Sequence, residues 1–145
     1  MYRRGQALAR LALLSVGLLV TGCGPGGIRY PETGATLEGT VTYGQEKVGA
    51  ALVIAQNDGG AATSFVDDDG RFKLENVPLG EVKIGVDTEA GKGQAMGRLQ
   101  AASQGKAAST PKLVDVPGQY AEPSKSGIKT TIKKGANTFN IEIPK

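Results

Sequence analysis

From Thr36 to Tyr43 the chain alternates, with Leu37, Val41 and Tyr43 on one side and Glu38, Thr40 and Thr42 on the other. A period of two places the sets on opposite faces of a strand. Gly44-Gln-Glu-Lys47 reads as a turn. Ala50-Ala-Leu-Val-Ile-Ala55, apolar on both faces, reads as a strand within a packed sheet that ends at Asn57-Asp-Gly-Gly60. Ser64-Phe-Val66 and Arg71-Phe-Lys-Leu74 flank Asp67-Asp-Asp-Gly70. That composition predicts a hairpin, because Asp and Gly accept the dihedrals of tight turns. Asn76 to Gly80 turns again, and Glu81 to Asp87 alternates with Val82, Ile84 and Val86 expected inward. Ile128, Thr130 and Ile132 then share a face, Lys134-Gly-Ala-Asn137 turns, and Phe139, Ile141 and Ile143 share the next face.

About seven short strands over roughly 110 residues predict an all-β sandwich across 36–145. One stretch departs from the pattern. Residues 88–112, TEAGKGQAMGRLQAASQGKAASTPK, are rich in Ala, Gly, Ser and Gln, and long loops without structure are uncommon in compact domains. The expectation is a mobile insertion that the fold can spare. A short helix over Ala95 to Ala102 is the alternative, with Met96, Leu99 and Ala102 as its contacts.

The start of the chain has a different pattern. A basic stretch with Arg3, Arg4 and Arg10 precedes the apolar run Leu11 to Val20, which stops at small residues and a cysteine. This is the layout of a secretory signal over 1–22. The run is shorter than the roughly 20 residues needed to span a bilayer. Val20-Thr-Gly-Cys23 closely resembles the bacterial lipobox, in which the cysteine sulfur takes a diacylglyceryl group and cleavage makes that cysteine the first residue. The resemblance implies that Cys23 is lipidated and that two or three acyl chains give a durable anchor. Residues 23–35, opening Gly24-Pro-Gly-Gly27, have the composition of a flexible tether. Gly24 is not the aspartate that retains enteric lipoproteins at the inner membrane, so outer-membrane sorting is the default expectation.

Charge and composition narrow the chemistry. Apart from those three arginines, the chain has 14 bases and 14 acids. Its basic pI therefore does not mark a nucleic-acid surface, and no nucleic-acid partner is expected. Histidine is absent and cysteine occurs once. Ser-His-Asp, Cys-His and HExxH chemistry are excluded, along with an internal disulfide and a Cys-x-x-Cys metal site.

Four motifs invite a ligand. Asp67, Asp68 and Asp69 could bind calcium, yet they lack the spaced Asp-x-Asp-x-Asp-Gly pattern and distal glutamate, so a solvated turn is expected. Gly91-Lys-Gly93 fails the phosphate-loop spacing, because position 86 is Val and Gly93 replaces the hydroxyl residue. Lys133 and Lys134 at a turn read as solvated, and Tyr120 reads as packing beside Pro117 and Pro123. No catalytic, metal or cofactor site is expected.

Glu38-Gly-Thr-Val41, Gly49-Ala-Ala-Leu-Val53, Asp67-x-x-Gly70-x-Phe72-x-Leu74 and Val77-Pro-x-Gly80-x-Val-x-Ile84 together resemble the carboxypeptidase-regulatory-like, transthyretin-like domain. Pro117-x-x-Tyr120-x-x-Pro123-x-x-Ser126-Gly-Ile128 and Gly135-x-Asn137-x-Phe139-x-Ile141 resemble the small lipoproteins of planctomycete-type bacteria. Val66, Leu79 and Val82 depart from that pattern, which often has Thr, Pro and Tyr at those places. The resemblance implies a seven-stranded transthyretin-like or immunoglobulin-like sandwich with no catalytic zinc ligands. The related hydroxyisourate hydrolases need histidines and a terminal Tyr-Arg-Gly-Ser, which this chain lacks.

The expected function is a non-catalytic envelope lipoprotein with a structural, adhesive or protein-binding role. Its expected partners are the membrane, through Cys23, and an envelope protein or polymer. The alternatives are a carbohydrate- or small-ligand-binding module, for which three Phe and four Tyr offer few stacking faces, and a histidine-free hydrolase built on paired carboxylates.

Overall fold

A computed structural model describes residues 32–105 and 112–145. The signal segment and Cys23 lie outside the described residues. Nine strands form two facing sheets. In the first, β1 (Ala35–Tyr43) is central. β2 (Glu46–Lys47) and β5 (Arg71–Glu75) lie along one side, antiparallel, and β8 (Gly135–Thr138) and β9 (Ile141–Ile143) lie along the other, parallel. The second sheet has the order β4 (Gly60–Phe65), β3 (Leu52–Asn57), β6 (Gly80–Asp87) and β7 (Ile128–Ile132), all antiparallel.

The alternating residues meet between the sheets. Leu37, Val41, Val53, Ala55, Leu74, Val82, Ile84 and Ile141 are fully buried, while Glu38, Lys73, Glu81 and Lys83 face water. The all-β sandwich expected from the period-two pattern is therefore the fold, with nine strands among the described residues instead of seven.

Two expected hairpins are crossovers between the sheets. After Asp67–Gly70 the chain leaves β4 and pairs β5 with β1, Gly39 opposite Phe72. Val66 and Phe72 on either side of the corner both enter the core. Likewise β7 pairs with β6, and Gly135–Thr138, expected to turn, is β8 beside Ala35–Glu38. Asn137 makes this arrangement possible: its Nδ2 donates to Thr36 O (3.1 Å), Lys133 O (2.7 Å) and Gly135 O (3.0 Å), and its Oδ1 accepts from Lys133 N (2.9 Å). The side chain closes the corner while the backbone remains free for the ladder.

The tether boundary also moves. Thr33 Oγ1 donates to Val77 O (2.7 Å), Val77 N donates to Ala35 O (3.1 Å), and Ala35 is buried. Residues 33–35 thus belong to the sandwich.

The stretch 88–112, expected to be a mobile insertion, is instead helical over its first part, and its residues 106–111 lie outside the described residues. Thr88–Ser103 is a 16-residue helix, α1. Asp87 caps it, with Oδ1 accepting from Glu89 N (2.9 Å) and Ala90 N (3.0 Å), and Glu89 sits favourably in the first turn. Its buried positions are Thr88, Gly91 and Ala95, all small, whereas Met96 is 54% exposed. A helix that docks through small residues lets its backbone come close without a stripe of large side chains, which is why no helical period stands out in the sequence. Gly91 lies against the Ala50–Ala51 backbone so tightly that a Cβ would overlap it.

Gly91→Ala should therefore destabilise the fold by about 1 to 3 kcal/mol as an overpacked contact, although alanine favours an isolated helix by about 1 kcal/mol. Urea denaturation reads the sign, and a stabilised variant would show that α1 is not docked.

Candidate binding surfaces

Shallow clefts lie on the sandwich, among them two larger ones and a smaller one of about 380 Å³ beside Asn57, Pro78 and Leu79. The first, of about 520 Å³, is lined by Gln56, Asn57, Asp58, Glu81, Lys83, Glu122, Pro123 and Ser124. It forms on the outward face of the second sheet, where the short 3-10 turn Gly118–Ala121 and Pro123 lie against Gly85. Asn57 holds one wall, its Nδ2 donating to Leu79 O (2.9 Å) and Glu81 O (3.3 Å). Ser126 fixes the other from below: its buried hydroxyl contacts Ile84 O and accepts from Ile128 N (3.2 Å). In sequence Asn57 marks only a strand end and Ser126 only part of a resemblance, since nothing local marks a side chain that will reach another strand.

The second cleft, of about 570 Å³, opens along the side of the sandwich between β4 and β5. Glu38, Ser64, Phe65, Arg71, Phe72 and Lys73 contribute to it. Lys73 Nζ lies 2.9 Å from Glu38 Oε1, and this pair, foremost through its hydrogen bond, raises the Lys73 pKa.

The aromatic residues do not assemble a stacking platform among the described residues. Lys145 Nζ lies 5.6 Å over the Tyr43 ring, Tyr120 is half-buried against the core, and Phe72 is buried. Phe65, 41% exposed, stands at the end of β4.

The residues singled out in the sequence do not converge. Asp67 Oδ1 accepts from Asp69 N (2.9 Å) and Arg71 N (2.8 Å), an Asx turn that uses up its inward oxygen. Asp68 faces Arg98 of α1 at 3.4 Å. Among the described residues no group of three potential ligands is placed to hold a metal ion. Millimolar calcium should thus leave the melting temperature unchanged, because only a ligand of the native state raises it; calorimetry with and without a chelator checks this.

Gly91-Lys-Gly93 lies in the first turns of α1. There Lys92 pairs with Asp115 and with Glu89 (2.8 Å), and these bonds, Asp115 foremost, push its pKa up to about 12. Lys133 and Lys134 are exposed at the crossover into β8. At the opposite end of β1, Glu46 receives Lys145 (2.8 Å) and Lys112 (3.5 Å), which hold its carboxyl below the usual range. The marked shifts thus belong to surface ion pairs, each of which contributes little to stability.

Neither a family model nor a curated protein matches the chain. Among solved structures the chain is similar to part of one described as "The Bacillus anthracis TIE protein", with 16% identity, 76% of this chain and 16% of that chain covered, and a TM-score of 0.42. That likeness is too low to carry an argument about either fold or function. Among the described residues no helix is long and apolar enough to cross a membrane.

Proposed function

We propose that the protein is a lipid-anchored lipoprotein of the bacterial cell envelope, a non-catalytic β-sandwich of the carboxypeptidase-regulatory-like type held to the outer membrane through Cys23. Its role is structural, adhesive or protein-binding. The observation that carries this reading is Val20-Thr-Gly-Cys23 at the end of a basic-then-apolar segment, ahead of the sandwich.

Support comes from the way the sandwich takes up the incoming chain. Thr33 and Ala35 are fastened to Val77, and β1 is paired along both sides. A pull on the anchor would load ladders on both flanks of the central strand, a sound attachment for a tethered module.

Mass spectrometry of the native protein should find an acylated N-terminal Cys23, and Cys23→Ala should move the protein from the membrane fraction to the soluble one. An unmodified mature N-terminus at another residue would overturn the reading.

A further inference from the structure

Among the strands of the two sheets, β4 has an unguarded edge. It joins β3 through the two-residue loop Asp58–Gly59, with Asn57 opposite Gly60 and Leu52 opposite Phe65. In an antiparallel ladder, hydrogen-bonded and non-hydrogen-bonded pairs alternate. Val66 N donates to Ala51 O (2.9 Å), which sets the phase: Val53/Ser64, Ala55/Ala62 and Asn57/Gly60 are the bonded pairs. Ala61, Thr63 and Phe65 therefore turn their backbone N–H and C=O groups away from β3, and all three residues are exposed.

Strand edges are normally blunted by charge or proline. The other edges here conform: β5 carries Arg71, Lys73 and Glu75, β7 carries Lys129, β2 is Glu46-Lys47, and the β8–β9 edge is bracketed by Lys133, Lys134 and Glu142. Gly60-Ala-Ala-Thr-Ser-Phe65 has neither along its length, the nearest charges being Asp58 and Asp67 beyond its two ends.

We propose that β4 pairs antiparallel with β4 of a second copy about a twofold axis at Thr63, joining two four-stranded sheets into one. The strand is self-complementary in this register. Thr63 meets Thr63, and Ala61 meets Phe65 in both directions, so every residue with outward backbone groups faces another such residue. Three opposed pairs exchange two bonds each. The large Phe65 ring lies over the small Ala61 on the outward face, beside half-buried Leu52 and Ile54. Sliding the register by two residues puts Ala61 opposite Thr63 and leaves Phe65 facing the loop at Gly59, with one opposed pair lost. No charged residues oppose each other within Gly60–Phe65, and the acids Asp58, Asp67 and Asp68 meet only beyond the two ends of the paired segment.

Disulfide trapping in the full-length chain tests the proposal. Residues in a bonded antiparallel pair have Cα atoms about 5.5 Å apart, within disulfide range. Under mild oxidation Thr63→Cys should give a covalent dimer on a non-reducing gel about tenfold above two controls. One is the parent chain, with Cys23 as its single cysteine; the other is Thr131→Cys on the exposed edge strand β7. Independently, the parent should sediment as a dimer, and Thr63→Lys, which sets two ammonium groups face to face, should raise the dissociation midpoint about tenfold or more with unchanged circular dichroism. The proposal fails if Thr63→Cys links no better than Thr131→Cys, if it links chiefly to a different protein, if the parent is a monomer, or if Thr63→Lys sediments as the parent does.

Discussion

Gly39→Ala should be the most damaging single methyl group that can be added to this domain, lowering stability by about 3 kcal/mol or more, at the upper end for overpacking. Gly39 lies in the middle of β1, opposite Phe72 on one side and against the break between β8 and β9 on the other. At that break Phe139 N donates to Glu38 O (2.9 Å) and Thr40 N donates to Asn140 Oδ1 (3.2 Å). A Cβ on Gly39 would overlap the Phe139 carbonyl, with its carbon at 2.8 Å and Phe72 Cε1 at 3.2 Å. The obstruction is backbone held by ladders before and after it, so it cannot swing aside as a side chain could. In a domain of this size each kcal/mol lowers the melting temperature by about 4 to 8 °C. Gly93→Ala is the control, since a Cβ there meets nothing within 4 Å and alanine favours the helix. A Gly39→Ala variant as stable as the parent would mean that the β8–β9 break does not lie against β1.

Ile84→Ala should cost about 2 to 5 kcal/mol, the range for truncating a buried aliphatic side chain. Ile84 is fully buried on β6, between Ala55 of β3 and Ile128 of β7. Its backbone carbonyl keeps the Ser126 contact in the variant, so the loss reports the side chain and its cavity. The neighbouring Ala55 is too small to fill the gap, which favours the upper half of the range. Denaturant midpoints with unchanged slope should show the loss; a change below 1 kcal/mol would remove Ile84 from the core.

The α1 helix shows why part of the fold was hidden from pattern reading. In sequence Asp87 reads only as the end of a strand, although it caps the helix, and the docking face is Thr88, Gly91 and Ala95. Small side chains carry almost no hydropathy signal, and their value lies in the approach they permit to Ala50–Ala51, a chain segment about 40 residues away. The β4 edge was hidden for a related reason. Ala61 and Thr63 are unremarkable in sequence, and their exposure on an edge depends on which strand fails to cover them.

What the sequence by itself determined was the all-β class, the inward faces of most strands and some of the turns. Leu37, Val41, Val53, Val82, Ile84 and Val86 alternate because a strand sends successive side chains to opposite faces, and that geometry is local. Only the tertiary structure decided which strands are partners. The Asp67–Gly70 and Lys133–Asn137 segments have hairpin composition but serve as crossovers, because burying Val66 with Phe72, and Ile132 with Ile141, required consecutive strands to enter opposite sheets. A turn motif specifies how the backbone bends; the sheet it bends into is chosen by how much apolar surface the whole domain can bury.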